Sequence, residues 1–138
     1  MTMRGLVLGA LLASLVLASP ASAAKTLVSY EQSGGIAGIQ TSMSVTVEGA
    51  ARVTTSRRPG IKRFKLKSGE LSALKRDLRR ARFSTLRSLY DSKVPVADGI
   101  AQTVRYAGHR VTVSTGGRPP ARLTKVLDRL ERLAARVT

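Results

Sequence analysis

The hydrophobic period of this chain switches from two to 3.6, back to two, and again to 3.6, and that order constrains the fold more than any other feature. Thr26 to Glu31 reads as a first strand. Met43, Val45 and Val47 then alternate with Ser44, Thr46 and Glu48, so one face of a strand is apolar. Glu48-Gly49-Ala50 turns the chain into a partner strand over Ala51 to Arg57, and Arg58-Pro59-Gly60 is a second turn. Ile61 to Lys67 alternates once more, with Phe64 and Leu66 inward and Arg63, Lys65 and Lys67 outward. Leu71, Leu74, Leu78 and Ala81 follow helical spacing. Ser68 is the expected N-cap, with Glu70 complementing the helix dipole. Ser84 to Tyr90 is expected to extend this helix past a bend near Phe83. Asp91 to Gly99 reads as a loop holding Pro95. Gln102–Tyr106 and Arg110–Thr115 read as a hairpin around Ala107-Gly108-His109, with Val104 and Tyr106 on the same side as Val111 and Val113. A final helix from Pro120 to Arg136 buries Leu123, Val126, Leu127, Leu130, Leu133 and Val137, and Asp128 and Arg132 are spaced to pair on its surface. Strands, helix, hairpin, helix is an α+β order: an antiparallel sheet of about five to six strands packed on one face by two main helices.

The start of the chain has a different character. Arg4 precedes an apolar run from Leu6 to Leu17, and Ala21-Ser22-Ala23 follows with small residues spaced for a signal peptidase. The expectation is a signal peptide over residues 1–23, cleaved near Ala23, and a secreted, extracellular product with no stable membrane insertion. The apolar run is shorter than the roughly 20 residues needed to span a bilayer. Removing the first 23 of 138 residues leaves 115, which suits a single domain over 24–138. The chain contains no cysteine, so disulfides, thiolate chemistry and Cys-based zinc sites are excluded and packing alone must hold the domain.

Catalytic constellations are scarce. His109 is the single histidine, set at a hairpin tip without partners at metal-ligand spacing. The acids Glu31, Glu48, Glu70, Asp77, Asp91, Asp98, Asp128 and Glu131 include no close pair, and no nucleophile elbow is present. The reading is of a binding protein and not an enzyme, with no catalytic residues, no metal and no cofactor.

Two features are left to carry binding. One is the loop Gln32-Ser33-Gly34-Gly35-Ile36-Ala37-Gly38, whose glycine spacing fits neither a dinucleotide fingerprint nor a P-loop. It reads either as an ordinary connection or as a protruding loop whose bare backbone can enter a partner's cleft. The other is the run from Arg57 to Arg87, which holds twelve of the 24 Lys and Arg and only two acids, in a chain of net charge +16. Arg57, Arg58, Lys62, Arg63, Lys75, Arg76, Arg79 and Arg80 form the candidate electrostatic patch. It reads either as a solvated face that aids solubility or as a footprint for an anionic partner, such as an acidic protein surface or an envelope polymer. No nucleic-acid motif accompanies the charge, and export argues against a genomic target.

The mature chain resembles the emfourin-like proteins, small inhibitors of thermolysin-like (M4) zinc metalloproteases. The resemblance rests on Tyr30-Glu31-x-x-Gly34-Gly35-Ile36-Ala37-Gly38-Ile39, with Ile36 where an aromatic is usual. It extends through Leu71, Leu74 and Leu78, Ala81-x-Phe83, Tyr106-x-Gly108, and Pro119-Pro120 before a Leu-rich helix. It implies a monomeric domain whose partner is a secreted metalloprotease. It further implies contact through Glu31, Ser33, Gly34, Gly35, Ile36, Ala37, Gly38 and Ile39, with the cleft blocked by shape and the basic run steering association.

Overall fold

In the computed structural model, which describes residues 24–138, the alternating segments pair into one sheet and the two helical stripes close over one of its faces. The expected signal peptide, 1–23, lies outside the described residues. The elements in order are β1 (Thr26–Gly34), β2 (Ile39–Thr46), β3 (Ala50–Thr55), β4 (Arg58–Lys65), α1 (Ser68–Ala81), a 3₁₀ turn (Phe83–Thr85), β5 (Leu89–Tyr90), β6 (Ile100–Tyr106), β7 (His109–Ser114) and α2 (Ala121–Ala134). The sheet has seven strands in the order β4-β3-β2-β1-β6-β7-β5. The class is α+β, but the sheet is larger than expected and mixed, because β5 runs parallel to β7. All its other neighbours are antiparallel.

Strand side chains alternate between faces, so the pairing defines two surfaces. Val28, Tyr30, Met43, Val45, Ala51, Val53, Val104, Val111 and Val113 form the buried face. Register places them beside one another, as in Val28↔Val45, Tyr30↔Met43, Tyr30↔Val104 and Val104↔Val111. Leu74, Leu78 and Ala81 of α1 and Leu123, Val126, Leu127, Leu130 and Leu133 of α2 complete the core. Among the described residues nothing covers the opposite face, which presents Ser29, Glu31, Ser42, Ser44, Arg52, Arg63, Arg105 and Arg110.

The hairpin between β6 and β7 forms as expected around a two-residue turn. Ala107 (φ 50°) and Gly108 (φ 79°) both take the left-handed conformation that matches the twist of paired strands. Other local expectations are corrected. The N-cap of α1 is Lys67, not Ser68, and its N–H donates to the Glu70 carboxylate at 2.9 Å. The expected helix over Ser84 to Tyr90 is a single 3₁₀ turn followed by β5. Arg82, in the left-handed conformation at φ 52°, ends α1 and swings Phe83 inward. The Phe83 ring then meets Tyr106 edge-on at 5.2 Å. Asp128 and Arg132 form no ion pair among the described residues.

The two helices are joined by polar contacts that the hydrophobic pattern hides. Arg122, at the start of α2, donates from Nε to the Ala81 carbonyl at 2.8 Å. That fills an acceptor orphaned at the end of α1 and places a cation at the negative pole of its dipole. Asp77 of α1 is buried to 2% exposure and accepts from Arg129 Nε of α2 at 2.8 Å. Lys125 Nζ and Arg76 Nε approach its other oxygen at 3.7 and 3.8 Å.

Candidate partner-binding edge

β1 and β2 meet in a hairpin whose loop is only four residues, Gly35 to Gly38. This is shorter than the loop expected from Gln32, because Gln32 and Ser33 are strand residues with partners on both sides: Thr41 and Gln102 for Gln32, Gln40 and Ala101 for Ser33. Gly34 closes the strand against Ile39 and Ile100. Gly35 and Gly38 supply the positive φ values, 80° and 57°, and Gly38 N–H donates to the Gly35 carbonyl at 2.9 Å. The turn therefore holds Ile36 at the apex, 91% exposed. An isoleucine in water forgoes roughly 1.5–3 kcal/mol of burial free energy.

A second loop stands beside this tip. Gly35 N–H donates to the Gly99 carbonyl at 3.3 Å, which ties the hairpin to the segment between β5 and β6. Within that segment Asp91 Oδ1 accepts from Ser92 N–H at 2.8 Å and Ser92 Oγ from Val94 N–H at 3.1 Å. Thr115 anchors its far end: Ile100 N–H donates to Thr115 Oγ1 at 2.8 Å. The loop turns Val94 and Val96 outward, 68% and 47% exposed, beside Ile100 at 40%. Val94, Pro95, Val96, Ile100 and Thr115 line a groove of about 500 Å³. Ile36, Val94, Val96 and Ile100 make up four of the six large apolar side chains exposed among the described residues, and all four sit at this one end of the sheet.

The expected contact residues are thus divided. Gly34, Gly35, Ile36, Ala37, Gly38 and Ile39 come together at the hairpin end. Glu31 and Ser33 are strand residues on the uncovered face, and Glu31 lies between Ser42 and Thr103. The apolar loop around Pro95 was missed by sequence reading. Its signal was there in Val94-Pro95-Val96, an apolar triplet inside a polar segment.

The basic residues are also dispersed. Arg57 is in the turn between β3 and β4, and Arg58 opens β4. Lys62 opposes Val53 and points to the helix side, whereas Arg63 opposes Arg52 on the uncovered face. Lys75, Arg76, Arg79 and Arg80 belong to α1, beyond the core. Among the described residues no three His, Cys, Asp or Glu side chains are grouped to hold a metal ion, and no helix is long and apolar enough to cross a membrane. Compared with protein-family models and with curated proteins, the chain matches none.

Proposed function

We propose that this domain is a secreted proteinaceous inhibitor of a thermolysin-like zinc metalloprotease, and that the Gly35–Gly38 tip enters the substrate cleft. The observation that carries this reading is Ile36, 91% exposed at the apex of a hairpin pinned by backbone hydrogen bonds. A side chain held in advance in an extended, apolar presentation loses little freedom on binding, which is how preorganised loops gain affinity. The flanking glycines leave the backbone bare, with nothing within 4 Å of a Cβ built on Gly35 or Gly38. The emfourin-like pattern of Tyr30 to Ile39 supports the choice of enzyme class. Val94 and Val96 extend the contact to a second loop, giving a double wedge. The positive charge raises the rate of encounter with an acidic enzyme.

The test is inhibition of a panel of thermolysin-like enzymes by the mature domain and by a Gly35→Glu, Ile36→Asp variant. Ile36 is exposed and nothing lies within 4 Å of a Cβ on Gly35, but residue 35 is held at φ 80°, so Ile36→Asp alone repeats the test without the left-handed strain. Inhibition by the parent and loss of at least ~100-fold in the variant is the expected result, in line with a hot-spot side chain at the centre of a contact. A parent that inhibits no member, or a variant that inhibits equally well, would overturn the reading.

A further inference from the structure

The geometry points to a second binding surface: the uncovered sheet face carries a trough for a linear, base-free phosphodiester polymer. One row of side chains runs across six strands. In order it is Arg63 (β4), Arg52 (β3), Ser44 (β2), Ser29 (β1), Arg105 (β6) and Arg110 (β7), each the direct cross-strand partner of the next. Five strand spacings of ~4.8 Å make the row about 24 Å long.

Two features set this row apart from a merely soluble surface. Arg52 opposes Arg63, and Arg105 opposes Arg110. Like charges directly opposite one another destabilise a sheet, and none of the four has a carboxylate partner among the described residues. An anion laid between the members of each pair relieves that repulsion. In addition, the surface is concave. A depression of about 300 Å³, whose lining includes Glu31 and Ile61 beside Ser29, Ser44 and Arg52, meets another of about 380 Å³ at Ser29, Arg105 and Arg110, and Ser29 lines both. Along the row, serine hydroxyls lie in the middle and guanidinium groups at the two ends. Forked guanidinium donors match tetrahedral phosphate oxygens, and serine hydroxyls can add donors between them.

The occupant is narrowed by what surrounds the trough. Glu31 lies in the adjacent row and Glu31, Ser42, Thr103 and Thr112 border the track, so the favourable path follows the arginine row itself. None of the five aromatic residues belongs to this face: Tyr30, Phe64, Tyr90 and Tyr106 align with the buried side and Phe83 is in the core. Nucleic-acid strands are held by stacking bases on aromatic rings, and this face offers none. A repeating phosphate backbone without bases meets the charge and lacks the part that the surface cannot use. The row is separate from the Ile36 tip, so it stands whether or not the domain inhibits a protease.

Fluorescence polarisation with labelled poly(glycerol phosphate) tests this, using the mature domain, an Arg52→Ser, Arg105→Ser variant and a charge-matched Arg118→Ser, Arg132→Ser control. The parent is expected to bind with an affinity that falls linearly on a log–log plot against salt. The open-face variant should lose at least ~10-fold at low salt and its slope should fall by ~0.7 per phosphate contact removed. The control should lose less than ~3-fold. Because it relieves like-charge opposition, the open-face variant should also melt no lower than the parent. If it fails to fold, Arg52→Gln with Arg105→Gln, which keeps the stems, repeats the measurement. Equal losses in variant and control, a loss that instead follows Arg79→Ser with Arg80→Ser, absence of parent binding, or equal binding of polyglutamate or single-stranded DNA would each overturn the proposal.

Discussion

A Cβ built on Gly34 would lie 2.2 Å from the carbonyl oxygen of Gly99. The end of β1 and the start of β6 therefore approach at a distance that only glycine permits, and the backbone of Gly34 is also at φ 113°. Gly35 differs: its φ is 80°, but nothing lies within 4 Å of a Cβ there. Two adjacent glycines in one motif thus serve unlike ends, one a packing constraint and the other a turn.

Alanine separates the two roles. Gly35→Ala should cost about 1–2 kcal/mol, the price of a left-handed residue with a side chain. Gly34→Ala adds a collision with backbone that cannot move aside, and should cost more than ~3 kcal/mol in chemical denaturation. Equal costs would mean that the contact with Gly99 is not close in solution.

The Asp77–Arg129 pair gives a second expectation. Arg129→Ala leaves a buried carboxylate without its main donor and should destabilise by about 3 kcal/mol, near the lower end for a broken buried pair because Arg129 keeps some exposure. Replacing both, as Asp77→Leu with Arg129→Leu, should recover much of the loss. A thermal or urea melt of the three variants checks the non-additivity.

Acid stability should report on Glu70. Its hydrogen bonds from Arg136 and from the Lys67 N–H hold its carboxyl down to about 2, from an ordinary 4.5. The folded state therefore binds the proton less readily than the unfolded one, so this contribution is complete above about 4.5 and is lost as pH falls toward 2. Glu70→Gln should flatten the pH dependence of the melting temperature in that window and leave the neutral-to-alkaline part unaltered.

The alkaline limb should report on Tyr30. Its hydroxyl is buried, accepts from Gln102 Nε2 at 2.9 Å and donates to Gln32 Oε1 at 3.1 Å. Burial, the largest influence, pushes it up to about 12 from 10. The protonated form belongs to the folded state, so stability is complete below about 10 and declines as pH rises through 12. Tyr30→Phe should remove that decline. At neutral pH it should cost about 1–3 kcal/mol, since both glutamine amides lose a partner.

Elements with a strong apolar period were legible from sequence. The stripe of α2 from Leu123 to Leu133 is buried as its spacing requires, and Val104 and Val111 share a face as the hairpin requires. What escaped was set by distant partners. Leu89 and Tyr90 form a strand only because β7 lies beside them, and Leu89 is half exposed. Gln32, Ser33 and Gly34 look like loop residues, yet pairing on both sides holds them extended. The candidate edge was half visible for the same reason. The glycines of the tip are local signals, whereas the nearness of Val94 and Val96 depends on Gly35 meeting Gly99 across the sheet. Charge was visible as a run in sequence, but Arg52, Arg105 and Arg110 lie outside that run and join Arg63 only through strand register.

The place of β1 bears on how the domain is born. It is the first strand among the described residues and the fourth of seven in the sheet, and its bond to β6 joins Tyr30 to Gln102 across 72 residues. Until β6 emerges, β1 can pair only with β2, and its second edge, rich in hydrogen-bonding groups, remains open. Closing so long a loop makes folding slow relative to helical domains of this size. For that interval a nascent or newly released chain offers a template to any passing strand, including another copy of itself. Crowded production of this domain should therefore be limited by intermolecular strand capture before the last third of the chain has been delivered.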